Sequence, residues 1–238
     1  MKDSSTNNLP VQDIIEWDIL NWSQLMAYWQ PVLEQLPRDS KVLAIGERNG
    51  GLSLWLALMG YHVTCTDIDD ITSTAGQLHA RYNVSNKIEY RKLDIVNDKW
   101  PDEQYDIIIA KSVIGGVKAQ RDNAGSRSFE VQRQAVNNIL NMLKPGGYFL
   151  SAENMMGGWL TRSVRGVGKR ASGWRYISYS ELKELFNGFS LVQTKTFGIL
   201  PTFFSRRVYN TTAYFLNRYL LDILSPATKY VAFTIARK

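Results

Sequence analysis

Short apolar runs alternate with stretches of helical spacing along most of the chain. The runs are rich in β-branched and aromatic residues and predict five strands, at 41–46, 62–68, 88–95, 105–113 and 148–154. Apolar residues at helical spacing predict helices between them, at 51–60, 71–84 and 127–147. This alternation is typical of an α/β fold, in which a mostly parallel sheet carries helices on both faces.

The two ends of the chain follow other patterns. An aromatic-rich stretch, 11–37, has helical spacing and predicts one helix that Pro37 ends. After 154 comes a glycine-rich stretch with five basic residues and no acid up to 177, which we interpret as a loop or lid. A helix, a strand, an amphipathic helix and a final strand follow. We therefore divide the chain into an N-terminal segment (1–40), a core (41–153) and a basic lid with the C-terminal part (154–238).

Charge and composition narrow the functional classes. Residues 154–238 hold 13 Lys or Arg against three acidic residues, whereas the whole chain has a net charge of +6. Such an imbalance favours an anionic partner or an acidic membrane surface, although a solvated basic surface explains it equally well. One cysteine excludes an intramolecular disulfide and a cysteine-based zinc site. Without a secretory leader or an apolar run of spanning length, we expect a cytoplasmic protein, with peripheral contact at the inner membrane face as a further expectation.

A glycine-bearing turn joins the first strand to its helix. Gly46, Gly50 and Gly51 lie where the backbone of such a turn approaches a ligand closely. Arg48 interrupts the G-x-G-x-x-G spacing, and no G-K-[ST] sequence follows. A dinucleotide pyrophosphate is therefore less favoured than a nucleoside cofactor without phosphates, and a nicotinamide oxidoreductase becomes a weaker alternative.

Two carboxylates stand at the ends of the next strands. Asp67 follows the second strand, where a carboxylate can accept hydrogen bonds from a ribose diol, although a helix cap would also explain it. Asp94 follows the third, where it could accept from an exocyclic amine or remain a solvated turn residue. Because the carboxyl ends of parallel strands meet at one sheet edge, Gly46, Asp67 and Asp94 should converge on one crevice.

Residues 42–154 resemble class I S-adenosylmethionine-dependent methyltransferases. The resemblance rests on VLAIGERNGG, VTCTDI, KLDI and LKPGGYFL. It implies a seven-stranded Rossmann-like sheet whose last strand, KYVAFTIARK, is antiparallel and inserted beside the sixth. It implies S-adenosylmethionine as the cofactor and the following binding residues: Gly46, Glu47, Asn49, Gly50, Gly51, Asp67, Ile68, Asp94 and Ile95.

This chain departs from the family pattern at two loop positions. Ala44 replaces a frequent acid, and Arg48 replaces the middle glycine. Arg48 needs a negative φ or carries strain, and its guanidinium could pair with Glu47 or with the cofactor's carboxylate.

Candidate residues for the acceptor side come from strand ends and the N-terminal segment. Glu153, after the fifth strand, is the candidate general base, and Lys111, after the fourth, could contact the methionyl end or an anionic substrate. Trp17 and Trp22 could form an aromatic wall near the sulfonium, or pack on the sheet. His62 and His79 are expected to be structural or on the surface.

The basic and aromatic residues beyond 154 bear on the substrate class. Arginines and lysines of the lid could clamp phosphates or sugar acids, namely Arg162, Arg165, Lys169, Arg170 and Arg175. The aromatic and basic residues of 203–224 could lie against a membrane or form the core of a cap. The lid is also loosely similar to bacterial methyltransferases acting on surface glycans or lipid-linked small molecules.

The sequence thus predicts O-methylation of a small or glycan-like, anionic or lipid-linked acceptor. An RNA methyltransferase would explain the basic C-terminal half too, but no RNA-binding module is recognisable, so nucleic acid is the weaker partner. A non-catalytic binding protein with a degenerate glycine loop is the third hypothesis, motivated by Ala44 and Arg48. The oligomeric state stays open.

Overall fold

A computed structural model describes residues 9–102, 104–117, 126–165 and 174–238, with the backbone alone at 126–127 and 164–165. Two of the predicted lid cations, Lys169 and Arg170, lie outside the described residues, as does the side chain of Arg165. In the described part, no helix combines the length and the apolar character needed to cross a membrane.

Seven strands form one sheet in the order β3-β2-β1-β4-β5-β7-β6. The strands are β1 (Lys41–Ile45), β2 (His62–Asp67), β3 (Ile88–Lys92), β4 (Tyr105–Lys111), β5 (Leu143–Asn154), β6 (Leu191–Phe197) and β7 (Val231–Arg237). Neighbours among β1 to β5 run parallel, whereas β7 lies antiparallel between β5 and β6. The predicted Rossmann-like sheet with an antiparallel last strand is confirmed.

Helices cover both faces of this sheet. They are α1 (Val11–Ile15), α2 (Ile19–Trp22), α3 (Gln24–Gln35), α4 (Gly51–Leu58), α5 (Thr72–Arg81), α6 (Ser126–Met142), α7 (Trp159–Arg165), α8 (Tyr179–Leu185) and α9 (Arg207–Tyr219). Along β1, Val42 and Ala44 pack with α2 to α5, whereas Leu43 and Ile45 pack with α6 and α8. Successive strand residues point to opposite faces, so one apolar run supplies two cores.

The N-terminal segment corrects the prediction of one helix over 11–37. Three helices replace it, and the chain turns at Glu16 (φ 70°) and Asp18 (φ 47°). The cause lies far along the chain, because the buried Asp18 carboxylate accepts hydrogen bonds from the Thr202 backbone N–H at 2.9 Å and from the Tyr230 hydroxyl. Tertiary contacts therefore override the local helical pattern.

The stretch predicted as a loop after 154 is more ordered than expected. Met155 and Ile177 pair in an isolated parallel bridge, and residues between them form α7. The strand β3 is shorter than predicted, since it ends at Lys92 and leaves Asp94 and Ile95 in the turn that follows.

Candidate functional site

A cleft of about 980 Å³ opens at the carboxyl ends of β1, β2 and β4. Its position follows from topology, because the chain leaves β1 toward β2 on one side and leaves β4 toward β5 on the other. In open α/β sheets, ligands bind where the strand order reverses in this way. The cleft brings together the following predicted residues: Gly46, Glu47, Arg48, Gly51, Asp67, Ile68, Asp94, Ile95 and Lys111.

The glycine loop is shaped by three positive φ angles. Gly46 (φ 66°) lines the cleft, and a Cβ there would lie 2.5 Å from a methyl carbon of Val113. Gly50 (φ 79°) precedes α4 and, like Asn49, does not line the cleft. Arg48 has φ 40°, so the alternative of a strained arginine is the one observed.

Glu47 is buried beneath this loop and supports the start of α4. Its Oε2 accepts the Ser53 backbone N–H at 2.7 Å, in a helix whose preceding residue, Gly50, has no side chain to cap it. Burial raises the pKa of Glu47 to about 7, although the Ser53 hydrogen bond opposes the shift. Glu47 lines the cleft, and with this pKa its carboxyl group is partly protonated near neutral pH.

Asp67 and Asp94 both line the cleft. The Asp67 Oδ2 accepts the Arg48 backbone N–H at 2.9 Å, which ties the end of β2 to the glycine loop, and the carboxylate does not cap α5. Asp94 accepts from the Asn97 side chain at 2.8 Å and from the Val96 N–H at 2.9 Å. The Asn97 side-chain bond is the main cause that lowers the pKa of Asp94.

Apolar side chains stand beside these carboxylates. Ile68 is 61% exposed although it is a large hydrophobic residue, and Ile95 is buried on the floor of the cleft. An exposed isoleucine next to an acceptor group matches the apolar walls and few polar groups of small-molecule sites.

A cluster of charges closes the cleft on the side of the N-terminal segment. The Lys111 Nζ lies 3.0 Å from the Ile15 carbonyl oxygen and 3.5 Å from a Glu16 carboxylate oxygen. The Arg48 guanidinium pairs with the same carboxylate at 3.5 Å, and the Asn49 amide donates to it. The sequence had suggested Glu47 as a partner of Arg48, but the structure pairs Arg48 with Glu16 instead. Burial lowers the pKa of Lys111, and the Glu16 carboxylate opposes that shift.

The predicted cofactor contact at Trp22 is corrected by the structure. Trp22 is fully buried in the core and packs edge-on against Phe233, with ring centroids 6.4 Å apart. Trp17 lines the cleft and lies over Trp22, with centroids 5.0 Å apart. The turn at Glu16 and Asp18 places Trp17 outside the helices, so helical spacing could not separate the two tryptophans.

Glu153, the candidate base, is buried and does not line the cleft. Its Oε1 accepts the backbone N–H groups of Val113 (3.0 Å) and Ile114 (2.9 Å), and its Oε2 accepts that of Gly115 (3.2 Å). Burial raises the pKa of Glu153 to about 7. The structure thus shows Glu153 holding the turn after β4, and it does not bring this carboxylate together with the other site residues.

Arg175, predicted as a substrate clamp, already has protein partners. Its guanidinium donates to Gln132 at 2.9 Å, pairs with Glu181 and lies over the Phe129 ring. The expectation of a structural role holds for His79, which is buried and contacts the Gly50 carbonyl oxygen at 2.9 Å. The described residues contain no group of three His, Cys, Asp or Glu side chains that could hold a metal ion.

Several cleft residues escaped the sequence analysis, among them Glu16, Ser112, Gln134, Asn154 and Trp174. Ser112 (φ 56°) follows β4, Asn154 is the last residue of β5, and the Asn154 Nδ2 donates to the Ser112 Oγ at 3.0 Å. Their strand-end positions were a usable signal. Gln134 and Trp174 gave none, because they come from a helix face and from the lid. A Cβ on Gly115 would lie 2.5 Å from the indole nitrogen of Trp174, so this glycine leaves room for the ring.

Comparison with protein families gives a match over part of the chain. Residues 43–151 match the model described as a methyltransferase domain. The curated protein sequences give no significant match.

Solved structures share the fold at low identity. A phosphoethanolamine N-methyltransferase 2 from Haemonchus contortus, in complex with S-adenosylmethionine, is 16% identical with a TM-score of 0.62, covering 91% of this chain and 52% of its own. A methyltransferase from Methanosarcina mazei is 17% identical, with a TM-score of 0.58 and coverage of 87% and 96%. The [4+2]-cyclase SpnF is 18% identical, with a TM-score of 0.60 and coverage of 91% and 82%.

Proposed function

We propose that this chain carries a class I S-adenosylmethionine-dependent methyltransferase domain, which is supported by the match of residues 43–151 to a methyltransferase-domain model. The chain binds S-adenosylmethionine in the cleft and transfers its methyl group to an oxygen of a small, anionic acceptor. The observation that carries this proposal is the convergence of Gly46, Asp67 and Asp94, three independent strand ends, on one cleft.

The cleft residues fit the nucleoside part of this cofactor. Asp67 offers carboxylate oxygens to the ribose hydroxyls, and the exposed Ile68 offers an apolar surface to the adenine ring. Asp94 is ionised at neutral pH and can accept from the exocyclic amine, because a carboxylate has about four lone-pair sites.

The other end of the cleft fits the amino-acid part of the cofactor. Lys111 and Glu16 present opposite charges, which suit the carboxylate and the amine of a methionyl group. Trp17 offers an aromatic face, and such faces attract cations like a sulfonium. With a volume of about 980 Å³, the cleft is at the upper end of the size of small-molecule sites, so a small acceptor can share it.

The proposed nucleophile is an oxygen of the acceptor that is already ionised. S-adenosylmethionine supplies an electrophilic methyl group, and the protein has to align the acceptor and exclude water. Ser112, Gln134, Asn154 and Trp174 line the cleft, and we assign them to the acceptor side; none of these four is a base at neutral pH. An acceptor that is already deprotonated, such as a carboxylate or an acidic phenol, needs no proton removal.

A second candidate function rests on Arg48. Its strained backbone and its ion pair with Glu16 hold the N-terminal segment against the loop, which suits a non-catalytic protein that binds the cofactor or a related nucleoside. The fold alone does not decide between these functions, since a [4+2]-cyclase shares it. Of the lid cations that the RNA alternative would use, Arg175 is paired within the protein.

The cofactor site can be tested by calorimetry with S-adenosylmethionine, S-adenosylhomocysteine and NAD. We expect the first two to bind, and Asp67→Asn to weaken them by about 10- to 100-fold, because hydrogen bonds to a charged group are lost. Asp70→Asn is the matched control, since Asp70 lies three residues on, outside the cleft. Tighter binding of NAD, or no effect of Asp67→Asn, would contradict the proposed site.

The reaction itself is tested by release of S-adenosylhomocysteine with panels of small acceptors. We expect turnover with carboxylic acids or acidic phenols, and rates that level off above the pKa of the acceptor, because the acceptor is its own anion. Binding without turnover across anionic and neutral panels would favour the non-catalytic function.

A further inference from the structure

A second surface of this protein is apolar and exposed, outside the cleft. It is formed by 203–224, which includes α9 and the turns on both sides of it. Nine of its large hydrophobic side chains are at least 38% exposed, namely Phe203, Phe204, Val208, Tyr209, Phe215, Tyr219, Leu220, Ile223 and Leu224. Single exposed hydrophobic residues are common, whereas nine within 22 residues indicate an interaction surface.

The helix α9 is oriented with an apolar face toward solvent. Ala213 and Asn217 are buried against the rest of the protein. Val208, Phe215 and Tyr219 are seven and four residues apart, so at 3.6 residues per turn they share one face, opposite the buried pair. The rings of Phe215 and Tyr219 touch, with centroids 4.7 Å apart. In an ordinary surface helix, the apolar face would be the buried one.

Aromatic rings extend this face before the helix begins. Phe203 and Phe204 have ring centroids 5.1 Å apart, and Tyr209 packs edge-on against Phe204 at 5.0 Å. The Asn210 side chain fixes this turn, because its amide donates to the Phe204 carbonyl at 2.7 Å and its oxygen accepts from the Phe204 N–H at 3.2 Å. The rings are thus presented by an ordered turn.

The charges around the apolar face are positive. Arg206, Arg207 and Arg218 are exposed, and no ion pair involves any of them within the described ranges. The one carboxylate of the segment, Asp222, is held by the Lys229 ammonium at 2.7 Å. Arginines beside an exposed aromatic face complement a surface that is apolar inside and anionic outside.

We propose that 203–224 docks this protein on an anionic lipid surface, with α9 lying in the plane of the headgroups. The aromatic and aliphatic side chains would enter the boundary between headgroups and acyl chains, while the three arginines would contact lipid phosphates. A two-fold dimer through the same patch is disfavoured, because it would place the arginines of one copy against those of the other.

Hydrogen bonds connect the docking segment to one wall of the cleft. The Asn217 amide of α9 donates to the Asn21 side chain of α2 at 3.1 Å, and the Asn217 oxygen accepts the Ile199 N–H at 3.0 Å. Asn21 belongs to the N-terminal segment that carries Glu16 and Trp17, which line the cleft. The lipid surface therefore binds an element that is fixed to one wall of the site.

The proposal is tested by sedimentation of the full chain with vesicles. We expect binding to equimolar phosphatidylglycerol and phosphatidylcholine, little binding to phosphatidylcholine alone, and weaker binding at high salt. The triple variant Val208→Gln, Phe215→Gln, Tyr219→Gln should lower partitioning by about tenfold or more, because it removes the inserted side chains. The double variant Arg207→Gln, Arg218→Gln should lower it by a similar factor on anionic vesicles.

Two matched variants control for apolarity and for charge. Leu191→Gln with Val192→Gln removes exposed hydrophobic residues of β6, and Lys99→Gln with Arg133→Gln removes two positive charges elsewhere. Both should bind vesicles as the unchanged chain does, and circular dichroism should show all variants folded. No binding to anionic vesicles, or equal loss in the controls, would overturn the proposal. So would a dimer that the triple variant dissociates without any change in vesicle binding.

Discussion

Backbone strain in this protein concentrates at single residues of the cleft. Five described residues other than glycine have a positive φ, and three of them line the cleft: Glu16, Arg48 and Ser112. Each such residue costs about 1–3 kcal/mol and persists only where surrounding contacts enforce it. The contacts that hold them include the Arg48 N–H bond to Asp67 at 2.9 Å and the Ser112 N–H bond to the Ala152 carbonyl oxygen at 2.7 Å, while the partly exposed ion pairs of Glu16 contribute less.

Glu153 shows how one buried carboxylate supports this strained region. It accepts three backbone N–H groups in the turn that carries Val113, a neighbour of Gly46. In Glu153→Gln the side-chain NH2 group, which is itself a donor, replaces one of the two acceptor oxygens and faces a backbone N–H group. We therefore expect a loss of about 1–3 kcal/mol of stability, measured by chemical denaturation. Retained turnover in this variant would also show that Glu153 is not the general base.

The same substitution carries a pH signature. The pKa of Glu153 is about 7 in the folded protein against an ordinary value of 4.5, so between these two pH values the folded state binds more protons than the unfolded state. Its contribution to stability is therefore lost as pH rises through this window. The destabilisation by Glu153→Gln should shrink between about pH 5 and about pH 8. A constant or growing difference would contradict a raised pKa.

At the scale of elements, the start of α4 is where strand, loop and helix meet. Gly50 has φ 79°, its carbonyl oxygen contacts the His79 ring, and a Cβ there would lie 2.6 Å from that ring. Only glycine meets both requirements, a left-handed backbone and close packing of α4 on α5. The position of Gly50 thereby fixes the glycine loop that begins at Gly46.

Two glycine substitutions separate strain from crowding. Gly60 also has a positive φ (101°), but a Cβ there would have its closest contact at 3.8 Å, with the flexible Arg38 side chain. Gly60→Ala should therefore cost about 1–2 kcal/mol, from the backbone alone. Gly50→Ala should cost at least about 1 kcal/mol more and should weaken S-adenosylhomocysteine binding. Equal melting temperatures for the two variants would refute the packing argument.

At the scale of the whole molecule, one sheet separates two hydrophobic cores. Cys65 lies in β2, is fully buried, and has no access to solvent without opening of the core. Burial also raises the pKa of its thiol, so the reactive thiolate is suppressed twice. The one cysteine of this chain therefore reports on opening of the core.

Thiol labelling of the native protein should be slow and should depend on ligand. With S-adenosylhomocysteine at about 100 times its Kd, binding adds about 2.7 kcal/mol to stability, so labelling through global opening should slow about 100-fold. The measurement is reaction with a chromogenic disulfide at rising ligand concentration. Fast labelling at a rate that does not depend on ligand concentration would mean that β2 opens locally while the cleft stays intact.

The sequence by itself determined the sheet and the place of the cleft. Strand-like apolar runs alternate with stretches of helical spacing, and this order predicts the parallel sheet and its covering helices. The carboxyl ends of parallel strands meet at one edge of a sheet. Gly46, Asp67 and Asp94 could therefore be assigned to one crevice from their spacing alone, and the cleft contains all three.

Only the tertiary structure decided which side chains of the N-terminal segment and the lid reach that cleft. Trp17 and Trp22 share one helical pattern, yet the turn at Asp18 exposes one to the cleft and buries the other, because Thr202 and Tyr230 bind that carboxylate. The positions of Glu153 and Trp174 likewise depend on contacts with residues far along the chain, namely Ile114 and Gly115. Hydrogen bonds between residues about 180 or more positions apart leave no periodic signal, so local patterns could not reveal them.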